Sequence, residues 1–208
     1  MTTNSPAGSA KDGKKFQRGA SLIMVMIVLT IVSLLGTAAI QVSMMSERGA
    51  RNDRDMQLAW QSAEAALMDA ENDMFGPGAS SRRDLFPSDK KPTAFVVGCG
   101  TTGTSRGLCE MVTTGKPSWL IVDFSDNGTS APTAAYGAYT GRSFAAGGAG
   151  VQPAKAPRYV IEAVKDPGDT TAYTCEKEKN CKYVYRITAM GFGPRDDIQA
   201  VLQMTYRN

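Results

Sequence analysis

The 208-residue sequence predicts an α+β protein in which one long N-terminal helix, transmembrane in its first half, packs on a C-terminal antiparallel β-sheet. Three observations carry that expectation. Residues 20–40 form a run without a charged side chain; as a helix rising about 1.5 Å per residue it spans about 31 Å, the thickness of a bilayer core. Beyond Ile40 no proline occurs until Pro77, and Met56, Ala59, Trp60, Ala63, Ala66, Leu67, Ala70 and Met74 recur at three- and four-residue steps on one helical face. Residues 158–164, 182–191 and 198–206 alternate and are rich in Val, Ile, Tyr and Thr, as strands are.

The first 19 residues carry Lys11, Lys14, Lys15 and Arg18 against Asp12, a net charge of +3. A positive flank stays in the cytoplasm, so the rest of the chain is expected to face outward. An ordinary secretory signal has a shorter apolar stretch, with small residues for cleavage at its far end. Here the small residue, Gly19, precedes the run.

The charge of the whole chain is also +3, so residues 20–208 are balanced, with 19 basic and 19 acidic side chains. Nucleic acid needs a concentrated basic face and is not an expected partner. The chain has no histidine, which removes the usual general base and the commonest metal ligand. It shows no GxSxG, no phosphate-cradling loop and no metal-ligand spacing. No catalytic, cofactor-binding or metal residue is therefore expected, and an enzyme is not. Asp123, Asp126 and Asn127 before Gly128 hint at a calcium loop but lack its full ligand pattern.

Cys99, Cys109, Cys175 and Cys181 all fall in the part expected outside the cytoplasm, where disulfides form. Four cysteines allow three connectivities. The local pairs Cys99–Cys109 and Cys175–Cys181 are favoured, because each clips one short loop. Each clip is expected to stabilise the domain by roughly 2–3 kcal/mol in the loop-entropy model.

The helix is expected to continue to about Asp73, loosened near Gly36 and Gly49, and to stop at Gly76, Pro77 and Gly78. Glu64, Asp69, Glu71 and Asp73 crowd an end where the macrodipole disfavours negative charge; a solvated acidic face, offset by Arg82 and Arg83, is the expectation. Between residues 80 and 153 only 94–97 and 118–124 look strand-like. Residues 127–150 read as a long exposed loop with Tyr136, Tyr139 and Phe144 among Ala and Gly. The closing strands are joined by two connections, one with Asp166-Pro167-Gly168 and the Cys175–Cys181 loop, the other with Gly191-Phe192-Gly193-Pro194. One face of that meander must cover the helix stripe.

Lys15-Phe16-Gln17-Arg18-Gly19 followed by Ala20-Ser21-Leu22-Ile23 resembles the class III signal of type IV prepilins. The order of leader, half-apolar helix, variable middle and final sheet resembles a type IV pilin. More narrowly, Thr30-Ile31-Val32-Ser33-Leu34-Leu35-Gly36, the run of residues 54–67 and the segments Tyr185-Arg186-Ile187-Thr188-Ala189 and Thr205-Tyr206-Arg207 resemble the PilX family of minor pilins. The resemblance covers roughly residues 15–75 and 158–208. It implies cleavage between Gly19 and Ala20 by a prepilin peptidase, N-methylation of Ala20, and single-pass residence in the inner membrane with a periplasmic domain. It also implies later passage into the extracellular pilus. The implied partners are membrane lipid, the inner-membrane assembly platform, other minor pilins, the major pilin and a tip adhesin. Major pilins carry a glutamate where this chain has Met24 and an early helix proline near Gln41. A carboxylate in the membrane is costly, so its loss points to a place at the tip rather than along the shaft. The implied division is a leader at 1–19, a transmembrane half at 20–40, an amphipathic half at 41–75, a variable region at 76–157 and the sheet at 158–208. A minor pseudopilin of type II secretion and an uncleaved membrane-anchored periplasmic domain are the competing readings.

Overall fold

A run free of proline and broken by only two glycines gives a helix nothing to stop it, and α1 runs unbroken from Ala20–Phe75 through Gly36 and Gly49. The structure is a computed structural model that describes residues 20–78, 81–88, 91–148, 150–166 and 181–207. The basic leader with Gly19, and Cys175, lie outside the described residues. The chain forms two compact units, the first ending at Ala50 and the second beginning at Arg51.

In the second unit α1 buries Ala59, Ser62, Ala63, Ala66, Asp69, Ala70, Asp73 and Met74. That stripe has the expected three- and four-residue spacing and is narrower than expected. Met56 and Trp60 are 43% and 50% exposed: Trp60, one place from Ala59, is turned about 100° from it, and Met56 lies on the turn before Ala59, the first buried residue of the helix. The indole of Trp60 donates instead to Glu64 on the next turn, 3.1 Å away. The small side chains let the helix backbone come close to the sheet. A Cβ on Gly191 would lie 2.2 Å from the Ala59 carbonyl oxygen and from the Ala63 nitrogen.

The sheet consists of β1 (Leu108–Glu110), β2 (Ala134–Ala135), β3 (Arg158–Lys165), β4 (Tyr183–Phe192) and β5 (Gln199–Arg207). Its order is β1-β3-β4-β5, with β2 also on β3. β3, β4 and β5 are antiparallel neighbours, with Ile161 opposite Ile187 and Ile187 opposite Met204. β1 joins β3 in parallel, with Cys109 opposite Glu162, so the sheet is mixed rather than wholly antiparallel.

Alternation divides the sheet residues between two faces. Tyr159, Ile161, Ala163, Tyr183, Tyr185, Ile187 and Ala189 join Ala66, Ala70 and Met74 of α1 in the main core. Val160, on the other face, packs with Cys99, Cys109, Phe124, Trp119 and Val122 in a second, smaller core. Residues 118–124, strand-like in composition, contain the short helix α2 (Ser118–Ile121) instead. Pro117 opens it, and Trp119 and Val122, three apart, reach the same small core, which a strand's period of two would not allow. Of residues 94–97 only Val96 makes a bridge, to Cys109.

Candidate functional site

Residues 20–46 are uncharged, and in the first unit every described side chain from residue 21 is exposed, with Met24 at 70% and Leu34 at 69%. An apolar surface of this size is not a stable contact with water, and the helix is long and apolar enough to cross a membrane once. Its two threonine hydroxyls find partners within the helix. Thr30 Oγ1 donates to the Ile27 carbonyl at 2.8 Å and Thr37 Oγ1 to the Leu34 carbonyl at 2.9 Å, which spares unpaired donors in an apolar surround.

In the second unit the chemistry-bearing residues gather where α1 ends. Asp73 and Arg82 form a buried ion pair, with side chains 0% and 2% exposed. Arg82 Nε lies 3.0 and 3.1 Å from the two Asp73 oxygens. Its Nη1 donates to the carbonyls of Thr104 at 2.8 Å and Arg106 at 2.7 Å, and its guanidinium sits 3.6 Å from the centre of the Tyr139 ring. The Tyr159 hydroxyl donates to Asp73 at 2.9 Å, and the Tyr139 hydroxyl donates to the Gly103 carbonyl at 2.6 Å. One turn earlier, Asp69 accepts from the Gly137 N–H at 2.7 Å and from the Thr140 hydroxyl.

Burial pushes the Asp69 carboxyl above the usual carboxylate range against these two hydrogen bonds. Burial, reinforced by Asp73, pushes the Tyr159 phenol well up. The expected solvated acidic face is therefore divided. Glu64 and Glu71 are exposed, while Asp69 and Asp73 are buried ties that pull the loops at 101–106 and 136–142 onto the helix. Arg83 compensates the helix end as expected, donating to the Phe75 carbonyl at 2.9 Å.

Cys99 and Cys109 are joined, closing the loop whose carbonyls Arg82 and Tyr139 hold. Cys181 is also disulfide-bonded, and Cys175, its expected partner, lies outside the described residues. Residues 127–148 are largely exposed or half-buried, as expected, and are anchored to the domain at a few points. Ala131, Thr133 and Ala134 are buried, Tyr136 and Phe144 contact each other at 5.1 Å, and Arg158 grips Thr133 through Oγ1 at 2.6 Å and its carbonyl at 2.7 Å.

Asp123 and Asp126 each accept from a backbone N–H two residues on, at Ser125 and Gly128. Among the described residues no acidic or cysteine cluster is placed to hold a metal. An open cleft of about 250 Å³ is lined by Lys91, Pro92, Glu110, Met111, Ala163 and Tyr183, and its Lys91 and Glu110 pair with each other at 3.4 Å.

Sequence reasoning missed the pair of buried Glu162 on β3 and half-buried Arg186 on β4, whose Nη2 lies 2.8 Å from Oε2, and the grip of Arg158. The available signal was a pair of charged residues four apart, Arg158 and Glu162, within the apolar stretch of β3 that precedes Lys165, on the face away from α1.

The family comparison covers both the anchor and the domain. A family model described as PilX N-terminal matches residues 18–67, and one described as type IV pilus assembly protein PilX C-term matches residues 47–208. No curated protein and no solved structure matches the chain. The second model alone spans well over half of the sequence, and with the first it includes the apolar helix, the buried ties and the sheet; the chain belongs to the PilX family of type IV pilus assembly proteins.

Proposed function

We propose that the chain is a minor pilin that enters the type IV pilus at or near its tip and primes its assembly. In this reading a prepilin peptidase cuts between Gly19 and Ala20 and the new amine is methylated. Residues 20–40 then hold the subunit in the inner membrane, with the domain in the periplasm. Residues 41–75 carry the helix onto that domain, built from a variable region at 76–157 and the sheet at 158–208. The observation that carries the reading is an uncharged helical run that starts directly after Gly19 in a PilX-family chain.

Extraction from lipid into a filament exchanges one apolar surround for another, so the exposed side chains of residues 21–46 need never meet water. Met24 places no carboxylate in the membrane, which favours a terminal position over a shaft in which subunits pair charges along the fibre. The domain meets other minor pilins, the major pilin and a tip adhesin, while the assembly platform acts from the membrane.

Intact mass and N-terminal sequencing of the protein from native membranes are expected to find a chain beginning at methylated Ala20. A chain still beginning at Met1 would discard the processing step. Deletion of the gene is expected to lower the number of surface pili, and an undiminished number would remove the priming role.

A further inference from the structure

We infer that the free edge of β5 is a docking site for an extended segment of another protein chain, which adds to the sheet as a further strand. β5 is nine residues long and pairs with β4 in unbroken register from Gln199 opposite Phe192 to Arg207 opposite Val184. Among the described residues nothing pairs with its other edge. Alternate N–H and C=O groups of an edge strand point outward and match another extended backbone.

Natural sheets blunt such edges with proline, lysine, bulges or brevity. The opposite side of the sheet follows that rule, because β1 has three residues and β2 two. β5 does not, since Gln-Ala-Val-Leu-Gln-Met-Thr-Tyr-Arg holds no proline, glycine or lysine and its one charge stands at the end.

The side chains define the occupant. On the helix side Leu202, Met204 and Tyr206 are half-buried; Met204 and Tyr206 pack against the main core, and Tyr206 stacks on Phe75 at 4.4 Å between ring centres. That core therefore ends partly uncovered at β5. The opposite side presents Val201, 45% exposed, with Gln203 and Thr205. A fitting strand is uncharged, with apolar residues at alternate positions to extend the row of Leu202, Met204 and Tyr206.

The occupant is not the β5 of a second copy. An antiparallel pair of identical edges in one sheet needs a twofold axis normal to it, which reverses every direction in the sheet plane. α1 lies along that plane, from Asp55 beside Gly193 to Phe75 on Tyr206. The two copies of residues 51–75 would then run in opposite directions, an arrangement that chains held in one membrane by the same N-terminal segment do not favour.

The test replaces Val201 and Thr205, separately, with a photo-crosslinking amino acid in the full chain in its native host. Strand pairing requires both probes to attach to one segment of one partner, at positions four residues apart, in an order that reports the strand's direction. Attachments scattered over several segments, attachment to a second copy's β5, or none in a chain that keeps its Cys99–Cys109 disulfide would overturn the proposal. In the unsubstituted chain, alternate amides of residues 199–207 are expected to exchange more slowly in the partner-bound form than in the chain alone, and equal rates would overturn it too. A four-residue step on a protein that takes no part in pili would keep the docking edge and discard the pilus-tip reading, so the two fail separately.

Discussion

Residues 158–207 and residues 76–157 occupy one compact unit but are held by different forces. In the first region β3, β4 and β5 form a backbone ladder whose apolar rows face a helix of small side chains; each contact is modest and there are many. The second has five of its described residues in strand and is held by a few side chains that cross long stretches of sequence. Arg82 grips carbonyls 22 and 24 residues away, Tyr139 one 36 residues away, and Asp69 a backbone N–H 68 residues away. A ladder fails when its packing plane is violated, whereas a tied loop fails when one knot is cut.

The largest effect is expected where the packing plane is tightest. Gly191→Val puts a branched side chain where even a Cβ would lie 2.2 Å from two backbone atoms of α1. Neither helix nor sheet can yield without breaking its own hydrogen bonds. The full chain in detergent is expected to lose at least about 4 kcal/mol or fail to fold, read by thermal unfolding. A loss confined to the loops would break the comparison.

Arg82→Met cuts a knot instead. It leaves Asp73 buried, with the Tyr159 hydroxyl donating to it at 2.9 Å but no cation beside it, and is expected to cost about 3 kcal/mol or somewhat more. Trypsin should then cut first after Arg106 and Arg142, while fragments holding β3, β4 and β5 survive longer. Simultaneous loss of both regions would show that the ties hold the sheet as well.

The same contrast explains what is legible in the sequence. The three closing strands can be read to within one residue at each end, because alternation over eight or more positions is a repeated signal. The anchor helix is legible for the same reason. β1, at three residues, and β2, at two, are too short to show a period, and residues 118–124 carry a strand-like composition on a chain that turns as a helix. Asp69 and Asp73 look like any acidic pair on a helix. Their burial depends on Thr140, Gly137, Arg82 and Tyr159, partners that no local pattern connects to them. Trp60 misleads because a large apolar side chain suggests the core, where Ala59 and Ala63 alone allow the close approach.

Removing the Cys99–Cys109 bond as a double Cys→Ser substitution is expected to destabilise the full chain by roughly 2–3 kcal/mol, read as a lowered Tm. Arg82 and Tyr139 still hold the Gly103, Thr104 and Arg106 carbonyls of that loop, so the effect should add imperfectly to that of Arg82→Met. Strict additivity would mean that the disulfide and the polar ties secure different things.

The smallest effect concerns a charge on the far face of the ladder. The Glu162 side chain is buried; burial raises its carboxyl above the ordinary value of 4.5, and Arg186 beside it pulls the other way without reversing the shift. A group that holds its proton more tightly when folded contributes stability that is fully present below its unfolded pKa and is lost as pH rises through its folded pKa. Asp69 has the same sign from its own ordinary value of 3.8. Glu162→Gln keeps a carbonyl oxygen for Arg186 and removes the titration. The Tm of the substituted chain is therefore expected to gain on that of the natural chain as pH is raised from about 4 toward neutrality. A constant difference would mean that the ion pair, not burial, governs the carboxylate. The ladder would then contain a tie of the kind that otherwise belongs to the loops.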